Sequence, residues 1–376
     1  MESNTDFVEL TTTRKNLDLI SDVKFSKNSQ YQLLIGTWSS DLLLYDCRSF
    51  TNHPHEPLPR DPICELKISD TPLSILYPGN NNSNSQAPPL VGSLDGSIRP
   101  VDFENVKLGK NIGESFEGED VRNGINHLCQ GVNNSVIASS FKGYLQLLDQ
   151  RLQKPLHSWK HERKVLTMES TEKYLVLGLA GNTVEFYDLN SLGASSSKPT
   201  PVETREVGLK YQVTDIKASP DQSTIAMSSI DGRVSIEYLD LPQHEQLEKN
   251  FVFKSHRHFD KESGADVVYP INSIAFRKNA SRSNLLFTAG SDGYLCLWDI
   301  NKRKRLKQFP KFQTWEFDGL PSEESTTESI AKIDVAHTDD LIAVATSDDN
   351  YKRRRRLSES ENSRLPSRVY IRHLKD

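Results

Sequence analysis

Cysteine is scarce in this sequence, and the four cysteines that occur show no C-x-x-C spacing. Zinc ribbons and dithiol redox sites need such pairs, and a disulfide framework needs a denser cysteine pattern. We therefore expect reduced thiols, most of them packed in the interior, at Cys47, Cys64, Cys129 and Cys296.

Long apolar runs are absent as well. No stretch approaches the roughly 20 apolar residues that a membrane-spanning helix requires, and the amino terminus MESNTDFVELTTTRKNLDLI has no apolar signal segment. With 36% hydrophobic residues in a chain of 376, there is still enough apolar material for a sizeable core. We expect an intracellular protein.

The common catalytic motifs are missing, since no GxSxG elbow, GxxxxGK[ST] loop or HExxH helix occurs. His157 and His161 are four residues apart, but HSWKH has an extended pattern, so we expect no shared metal. His256 and His258 flank Arg257 at the start of a polar segment, where we expect solvent-exposed side chains. We expect neither an enzyme nor a bound cofactor or metal. An active site built from scattered loops, as in a hydrolase or ligase subunit, is the alternative.

A large excess of charge of one sign is missing too, because the formal net charge is only -5 at pH 7. This argues against attraction of the whole protein to nucleic acid or anionic membranes and leaves only local contacts. We identify one dense basic run, KRRRR (Lys352–Arg356), followed by Ser358. It fits a nuclear localisation signal, a nucleic-acid tether or a kinase target at Ser358, and it equally fits a solvated insertion.

What the sequence does contain is a repeated unit that ends in aspartate. Each unit has a turn of small residues and then an apolar-alternating strand. Six copies are GTWSSDLLLYD, GSLDGSIRPVD, SSFKGYLQLLD, GLAGNTVEFYD, SSIDGRVSIEYLD and GSDGYLCLWD, ending at Asp46, Asp102, Asp149, Asp188, Asp240 and Asp299. A seventh copy is split between TSDDN (Thr346–Asn350) and RVYIRHLKD (Arg368–Asp376). A second short apolar strand precedes every turn, as in ISDVKFS from Ile20.

Seven such units predict an all-β fold, a seven-bladed WD-repeat β-propeller. The period of two excludes a helical solenoid. Only Trp298-Asp299 keeps the Trp-Asp pair of WD repeats, while Tyr45 and Tyr187 keep an aromatic residue. We expect the aromatic rings to pack between blades and each aspartate to close a local turn. A strand within Asp6–Leu10 is expected to join the last blade and close the ring.

We expect residues 1–376 to form this single domain. Seven blades of 40–45 residues need roughly 280–315 residues, so the excess is expected in polar loops. These predicted insertions lie near 79–89, 105–122, 191–204, 256–266, 312–328 and 350–366. We expect several of them to be mobile.

Five blocks of blades 5 and 6 resemble one WD-repeat family. They are GLKYQ (Gly208–Gln212), SSIDGRVSIEY (Ser228–Tyr238), FVFKSHR (Phe251–Arg257), YPINSIAF (Tyr269–Phe276) and TAGSDG (Thr288–Gly293). The family is the Bub-type spindle-assembly-checkpoint propeller, the budding-uninhibited-by-benzimidazole protein numbered three, and the Asn-rich loops look like a yeast member. The related messenger-RNA-export propeller of the nuclear pore shares S-I-[DE]-G-R-V, but KYQ and IEY favour the checkpoint branch.

The resemblance implies a non-enzymatic adaptor of the mitotic spindle checkpoint that delays cell division until chromosomes attach. Its implied partners are a checkpoint kinase and a pseudokinase-like protein, both carrying a GLEBS segment, and a phosphorylated kinetochore scaffold. It also implies a nuclear location, with recruitment to the kinetochore in mitosis, and a monomer when no partner is bound. We expect no membrane contact and no direct nucleic-acid binding. An export adaptor at the nuclear pore is the alternative.

Arg233 follows the Asp231-Gly232 turn, where a tight hairpin needs residues that tolerate positive φ. On its own it fits an ordinary polar rim residue. The resemblance implies that Arg233 and Lys254 hold the phosphothreonine of Met-Glu-Leu-Thr repeats in the scaffold. A guanidinium forks onto phosphate oxygens and an ammonium adds a point charge. The alternative for Lys254 is a solvated lysine of an outer strand.

The resemblance also implies a surface for the GLEBS segment. Trp38, in LLIGTWSSD, matches a family tryptophan at the rim of blade 1, and packing between blades is its alternative. Phe141, in IASSFKG, stands where the family usually has Trp-Asp, so it keeps an apolar contact without the indole donor. Family members have an arginine after KYQ that pairs with acidic GLEBS residues, whereas this chain has Thr214. Lys210 is our candidate replacement, because Lys217 would lie on the opposite strand face from Thr214.

Overall fold

The structure is a computed structural model. It describes residues 6–12, 17–27, 31–52, 61–79, 87–114, 123–152, 154–192, 198–317, 320–348 and 367–374. Seven antiparallel sheets of four strands and two separate hairpins form its β-structure. The predicted seven-bladed, all-β propeller is confirmed.

The first half of the chain forms a leading strand and four blades. The leading strand is β1 (Val8–Glu9). Blade 1 contains β2 (Ile20–Phe25), β3 (Gln32–Thr37), β4 (Asp41–Asp46) and β5 (Cys64–Lys67). Blade 2 contains β6 (Pro72–Leu76), β7 (Leu90–Ser93), β8 (Ile98–Asp102) and β9 (Lys107–Leu108). Blade 3 contains β10 (Ile125–Gln130), β11 (Val136–Ser140), β12 (Tyr144–Leu148) and β13 (Pro155–Lys160). Blade 4 contains β14 (Val165–Ser170), β15 (Tyr174–Leu179), β16 (Thr183–Asp188) and β17 (Glu203–Glu206).

The second half forms three blades and two hairpins. Blade 5 contains β18 (Val213–Ala218), β19 (Thr224–Ser229), β20 (Arg233–Tyr238) and β21 (Phe251–Lys254), followed by the hairpin β22 (Arg257–Asp260) and β23 (Ala265–Val268). Blade 6 contains β24 (Ile271–Phe276), β25 (Leu285–Gly290), β26 (Leu295–Asp299) and β27 (Lys304–Gln308), followed by the hairpin β28 (Gln313–Phe317) and β29 (Leu320–Thr327). Blade 7 contains β30 (Ser329–Val335), β31 (Leu341–Ser347) and β32 (Arg368–His373).

Helical structure is confined to short connections. These are α1 (Ser49–Asn52), α2 (Gln243–Lys249) and the 3-10 turns Val132–Asn134 and Ala280–Arg282. None of the helices in the described segments is long and apolar enough to cross a membrane.

The leading strand closes the ring, as its position before the first inner strand predicted. β1 pairs antiparallel with β32, with Val8 opposite Ile371 and Glu9 opposite Tyr370. The sheet order β1-β32-β31-β30 therefore gives blade 7 its fourth strand from the amino-terminal end of the ring. This pairing covers an edge of blade 7 that would otherwise be open.

Four of the six predicted insertions overlap strands: 105–122 contains β9, 191–204 contains the start of β17, and two others contain hairpins. Residues 256–266 overlap β22 and β23, in which Arg257 pairs with Val268, and residues 312–328 overlap β28 and β29. These two insertions therefore form hairpins outside the four-stranded blades. Segment 350–366, with Lys352–Arg356 and Ser358, lies outside the described residues, as do 80–86, 115–122 and 193–197 within the other predicted insertions.

The apolar core lies between the blades. The buried apolar side chains of the described residues form seven clusters, one for each pair of neighbouring blades. Tyr45 and Tyr187 are buried in two of these clusters, and the Trp298 ring lies 4.6 Å from that of Phe253 in the preceding blade. The predicted inter-blade packing of the repeat aromatics is confirmed. Three of the four cysteines are buried, and all four are free thiols.

Most repeat aspartates close a local turn, as predicted. Asp46, Asp149 and Asp188 accept the backbone N–H two residues further on, at 3.0 Å in each case. Asp240 differs, because β20 ends at Tyr238 and the Asp240 carboxylate instead accepts hydrogen bonds from Lys173 and Tyr174 of blade 4. That residue therefore joins two blades rather than closing its own turn.

Carboxylates on the inner strands tie neighbouring blades together around the central channel. Oδ2 of Asp22 accepts the N–H of Ile75 at 2.8 Å. Oδ2 of Asp215 accepts the N–H of Ile274 at 3.0 Å. Hydrogen bonds to a charged acceptor are stronger than neutral ones, so these contacts fix the inner strands against one another and hold the ends of the channel in place.

Candidate functional site

One face of the ring is built from equivalent turns. In six blades the residue after the second strand donates its backbone N–H to the connection that enters the inner strand of the same blade. These pairs are Trp38 to Leu19, Leu94 to Thr71, Phe141 to Gly124, Ala180 to Lys164, Ile230 to Gln212 and Ser291 to Pro270. We call the face formed by these turns and connections the upper face. All of the predicted binding residues belong to its turns or to the strands that end there.

Three of these equivalent turn positions carry exposed apolar side chains. Trp38 is 44% exposed, Phe141 is 45% exposed and Ile230 is 41% exposed. Trp38 is therefore not packed between blades, which removes the alternative considered for it. Ile230 was not singled out from the sequence, although it occupies the same position of the repeat as the other two. Blades 1, 3 and 5 thus each present an apolar contact at the upper face.

The backbone around Trp38 is held firmly. Its N–H donates to Leu19 at 2.8 Å, and its carbonyl accepts the Thr71 hydroxyl at 3.1 Å. Within the same turn the hydroxyl of Ser39 donates to Asp41 at 2.6 Å. An exposed indole on a fixed backbone loses little conformational entropy when a partner covers it.

Thr214 lies at the upper mouth of the channel. Thr214 and Trp38 both line a cavity of about 280 Å³, to which Lys332 of blade 7 also contributes. The Thr214 hydroxyl donates to the carbonyl of Ile271 in the next blade at 2.6 Å. Its role in the fold is therefore an inter-blade hydrogen bond, and a hydroxyl cannot supply the positive charge of an arginine.

The lysines near Thr214 differ in their surroundings. Lys210 is exposed, and its carbonyl accepts the Asn182 amide at 2.7 Å. Lys217 lies inside the channel, where its Nζ is 3.2 Å from both Glu169 and Asp215. Burial acts to lower the pKa of Lys217, but the two carboxylates outweigh it and raise the pKa above the ordinary value. Lys217 is therefore a charged part of the channel wall, and Lys332 is a cation at the mouth that sequence reasoning missed.

Arg233 and Lys254 form a cation pair on blade 5. They lie directly opposite each other in the antiparallel pair of β20 and β21. Side chains of directly opposed residues share one face of the sheet, with Cβ atoms about 4.5–5.5 Å apart. Lys254 is exposed, and the Arg233 side chain is 26% exposed. Both cations are thus accessible from the same side.

The Arg233 guanidinium has one ionic partner among the described residues. Its Nε lies 3.0 Å from Oδ2 of Asp231, at an angle too bent for an aligned hydrogen bond. A planar guanidinium has five N–H donors, so the contact leaves donors for an oxyanion. Asp231 therefore orients the Arg233 side chain.

Arg257 stabilises the turn that precedes Arg233. Its Nη2 donates to the carbonyl of Asp231 at 3.1 Å, and its Nη1 lies 3.6 Å from Asp266 in β23. Only 17% of the Arg257 side chain is exposed. The hairpin β22–β23 therefore braces the turn that carries Arg233, and Arg257 positions that turn.

Gly232 makes the turn before Arg233 feasible. Its φ is +67°, and an added Cβ would lie 2.7 Å from the carbonyl oxygen of Ser255 and 3.0 Å from that of Tyr269. We expect Gly232→Ala to cost more than about 1–2 kcal/mol of unfolding free energy, the cost of the left-handed conformation alone, measured by urea denaturation. Gly264→Ala is the matched control, because φ there is +66° and nothing lies within 4 Å. Equal losses for both variants would contradict a steric role.

His256 corrects a prediction made from the sequence. It is not exposed at a rim: its side chain is fully buried, with Nδ1 2.8 Å from Oδ1 of Asp292 and Nε2 2.9 Å from Oγ1 of Thr288. The Trp298 indole also donates to Thr288, at 3.1 Å. His256 therefore ties the end of blade 5 to blade 6, while the neighbouring His258 is exposed as predicted.

The other histidine pair forms no metal site in the part of the chain that is described. His157 lies in the extended strand β13, and His161 is buried, with its Nε2 3.0 Å from Glu185. Within the described segments, no group of three or more His, Cys, Asp or Glu side chains could hold a metal ion.

The lower mouth of the channel opens into a larger cavity of about 800 Å³. His127 lies in its wall with Nε2 2.9 Å from the carbonyl of Leu166. Burial, and next the charge of Lys332, lower the pKa of His127 to about 4, so the ring is neutral near pH 7. Lys217 is paired with carboxylates and His127 is bonded to a backbone carbonyl. Both side chains therefore stabilise the wall of the channel.

Comparison with known proteins agrees with the fold and the repeat. The family profile "WD domain, G-beta repeat" matches residues 263–299. The Spindle assembly checkpoint protein bub3 of Schizosaccharomyces pombe is 28% identical over 79% of this chain and 82% of its own length. The Mitotic checkpoint protein BUB3.1 of Arabidopsis thaliana is 28% identical over 96% and 91%. The Mitotic checkpoint protein bub3 of Dictyostelium discoideum is 27% identical over 95% and 92%.

The fold and these matches define a WD-repeat β-propeller. Within that class the chain is similar to the Bub3-type mitotic checkpoint proteins along most of its length. The resemblance carried by the blocks of blades 5 and 6 is confirmed.

Proposed function

We propose that this propeller is a non-enzymatic adaptor of the spindle checkpoint. It binds the GLEBS segment of a checkpoint kinase or pseudokinase-like partner and recruits that partner to phosphothreonine in Met-Glu-Leu-Thr repeats of a kinetochore scaffold. The proposal places the protein in the nucleus, and at the kinetochore in mitosis. It is supported by the similarity to checkpoint proteins and by the two groups of accessible side chains on the upper face.

The observation that carries the phosphate role is the direct pairing of Arg233 with Lys254 across β20 and β21. Two cations on one sheet face, both accessible, match an anion with nearly two charges and three acceptor oxygens. An unmodified threonine hydroxyl offers neither the charge nor the acceptors. The site therefore discriminates by charge and not by shape alone.

In this proposal the GLEBS segment of the partner binds at the upper mouth of the channel. There Trp38 and Phe141 supply exposed aromatic surface, and Lys332 and Lys210 supply cations in place of the arginine that Thr214 replaces. Lys332 lines the same cavity as Trp38, so an acidic residue next to an apolar anchor would meet it. Interfaces often draw most of their affinity from a few buried aromatic anchors.

The phosphate role is tested with a Met-Glu-Leu-Thr peptide in phosphorylated and unphosphorylated form. We expect Arg233→Ala to weaken binding of the phosphopeptide by about 1.5–3 kcal/mol, roughly tenfold to a hundredfold, because a charge-assisted hydrogen bond is lost. Calorimetry or fluorescence anisotropy measures this. Arg151→Ala is the matched control, since Arg151 is an exposed arginine of blade 3. Equal binding of the two peptides to the unaltered protein would remove the proposed role.

The second candidate function is an export adaptor at the nuclear pore, because the export branch has the same block S-I-[DE]-G-R-V. Affinity purification from mitotic and interphase cells separates the two. The checkpoint assignment expects a checkpoint kinase among the bound proteins. Nucleoporins together with poly(A) RNA, and no checkpoint kinase, would support the export adaptor instead.

A further inference from the structure

Blade 6 carries a dense basic run that the sequence reading left out, so the count of one such run was wrong. Residues 302–311 contain six cations and no acidic residue, in a chain whose net charge is -5. The cations are Lys302, Arg303, Lys304, Arg305, Lys307 and Lys311. We call Lys302–Lys311 the basic edge, because its centre is β27, the outermost strand of blade 6.

The basic edge is accessible along its length. Residues 301–308 are all exposed, including Leu306, which is 47% exposed. On the other outer strands β5, β9, β13, β17 and β21, the sequence has at most one lysine or arginine per strand, whereas β27 has three. The concentration of charge therefore distinguishes this blade and is not a general property of the propeller rim.

Most of these charges are not neutralised within the described part of the chain. Lys302 pairs with Asp299 at 3.5 Å. No carboxylate of the described segments comes within 4 Å of the side-chain nitrogens of Arg303, Lys304, Arg305 or Lys307. Like charges this close repel one another, so a ligand that supplies negative charge would relieve the repulsion.

Aromatic rings hold several of the cationic side chains in place. Arg303 lies over Phe251 at 4.4 Å and Lys307 over Phe309 at 4.9 Å. Arg305 lies 5.9 Å from the ring centre of Trp298. Cation–π contacts of this kind restrain the stems and leave the charged groups at the surface. These side chains therefore lose less conformational entropy when a ligand binds.

We propose that the basic edge is a docking surface for an acidic, extended peptide segment of a partner protein. An extended peptide runs along a strand with the same residue spacing, so that carboxylates face successive cations of β27. β27 has an extra residue at Leu306, where the register with β26 shifts. Such a bulge, together with charge, disfavours pairing with an uncharged or basic edge, which makes the surface selective for acidic segments.

The structure favours a peptide over a nucleic acid. The rings that would stack on bases are already covered by the protein's own cations. β27 also has only five residues and three cations, so it offers few contacts to a long polyanion that binds through many phosphates. None of the cations of the basic edge is Arg233 or Lys254, so the inference does not depend on the phosphate role.

The test uses a fluorescent eight-residue glutamate peptide, a serine peptide of equal length, and single-stranded oligothymidylate with the same number of charges. Arg303, Lys304, Arg305 and Lys307 are changed together to Gln. The matched control changes the exposed Lys107, Lys110, Lys154 and Lys164 to Gln. Anisotropy is measured at low and at physiological salt, and binding of the phosphothreonine peptide is measured in parallel.

We expect the glutamate peptide to bind and the serine peptide not to bind. The basic-edge variant should lose roughly tenfold or more in affinity. Each exposed charge pair contributes only a little to binding, but the variant removes four cations at once. The control variant should stay within about twofold, and phosphopeptide binding should not change. No binding of the glutamate peptide, or an equal loss in the control, would overturn the proposal. Tighter binding of oligothymidylate than of the peptide would overturn the choice of partner.

Discussion

Arg277→Ala is expected to lower the free energy of unfolding by about 3–5 kcal/mol, since it removes the buried cation that pairs with Asp339 and leaves that carboxylate only the Lys278 N–H and a distant Arg282. Nε of Arg277 donates to Oδ1 of Asp339 at 2.9 Å and Nη2 donates to the Asp339 carbonyl at 3.0 Å. The two side chains are 5% and 6% exposed. Arg277 follows the inner strand of blade 6 and Asp339 lies between β30 and β31, so the pair joins two blades.

Urea denaturation with the midpoint and slope recorded separately measures this effect. Arg282→Ala is the control, because Arg282 reaches the same carboxylate only at 4.0 Å and is 27% exposed. It should cost less than about 1 kcal/mol. Replacing both partners, as Arg277→Met with Asp339→Asn, should cost less than the Arg277 variant alone. A loss below 1 kcal/mol in Arg277→Ala would show that the blades are joined mainly by their apolar contacts.

The blades themselves were predictable because their signals are local. Alternation of apolar residues and turns such as Asp231-Gly232 specify strands without reference to the rest of the chain. Closure by β1 was also predictable, although its partner β32 lies at the other end of the sequence. The repeats account for the inner strands of all seven blades but leave blade 7 without its outermost strand. Asp6–Leu10 precedes the first inner strand, so it is the segment that can fill that place.

Contacts between distant residues were not predictable in this way. His256 is buried and hydrogen-bonded to Asp292 and Thr288 of the neighbouring blade. The residues next to His256 in the sequence give no indication of these hydrogen bonds. The hairpin β22–β23 was missed for a related reason. Its strands RHFD and ADVV are mostly exposed, so they lack the apolar alternation by which the blade strands were found.

The candidate site was predictable in part. The turn and the strand pairing that bring Arg233 opposite Lys254 follow from the repeat, whereas the role proposed for them came from the family resemblance. Lys332 was missed because lining the channel mouth depends on the curvature of the whole ring. Ile230 had a usable signal, since it aligns with Trp38 and Phe141 in the repeat. The basic edge could also have been found in the sequence, because residues 302–311 contain six cations and no acidic residue.

Trp38→Ala is expected to weaken binding of a GLEBS peptide by about 2–4 kcal/mol, or roughly 30-fold to nearly 1,000-fold. The indole is exposed, its backbone is fixed by Leu19 and Thr71, and it lines the cavity shared with Lys332. It thus offers a large apolar area at little entropic cost. Because the side chain is not in the core, the variant should keep its stability within about 0.5 kcal/mol, so lost binding will not reflect unfolding.

Titration calorimetry with the isolated peptide measures this loss, and two variants make the result specific. Trp38→Phe retains an aromatic face without the indole N–H and should recover part of the affinity. Leu156→Ala removes an exposed apolar side chain, 53% accessible, from the outer strand of blade 3, and should change affinity by less than about twofold if the peptide occupies the channel mouth. An equal loss in both alanine variants would place the peptide elsewhere. An unchanged affinity in Trp38→Ala would assign the partner to a surface that does not include the upper mouth.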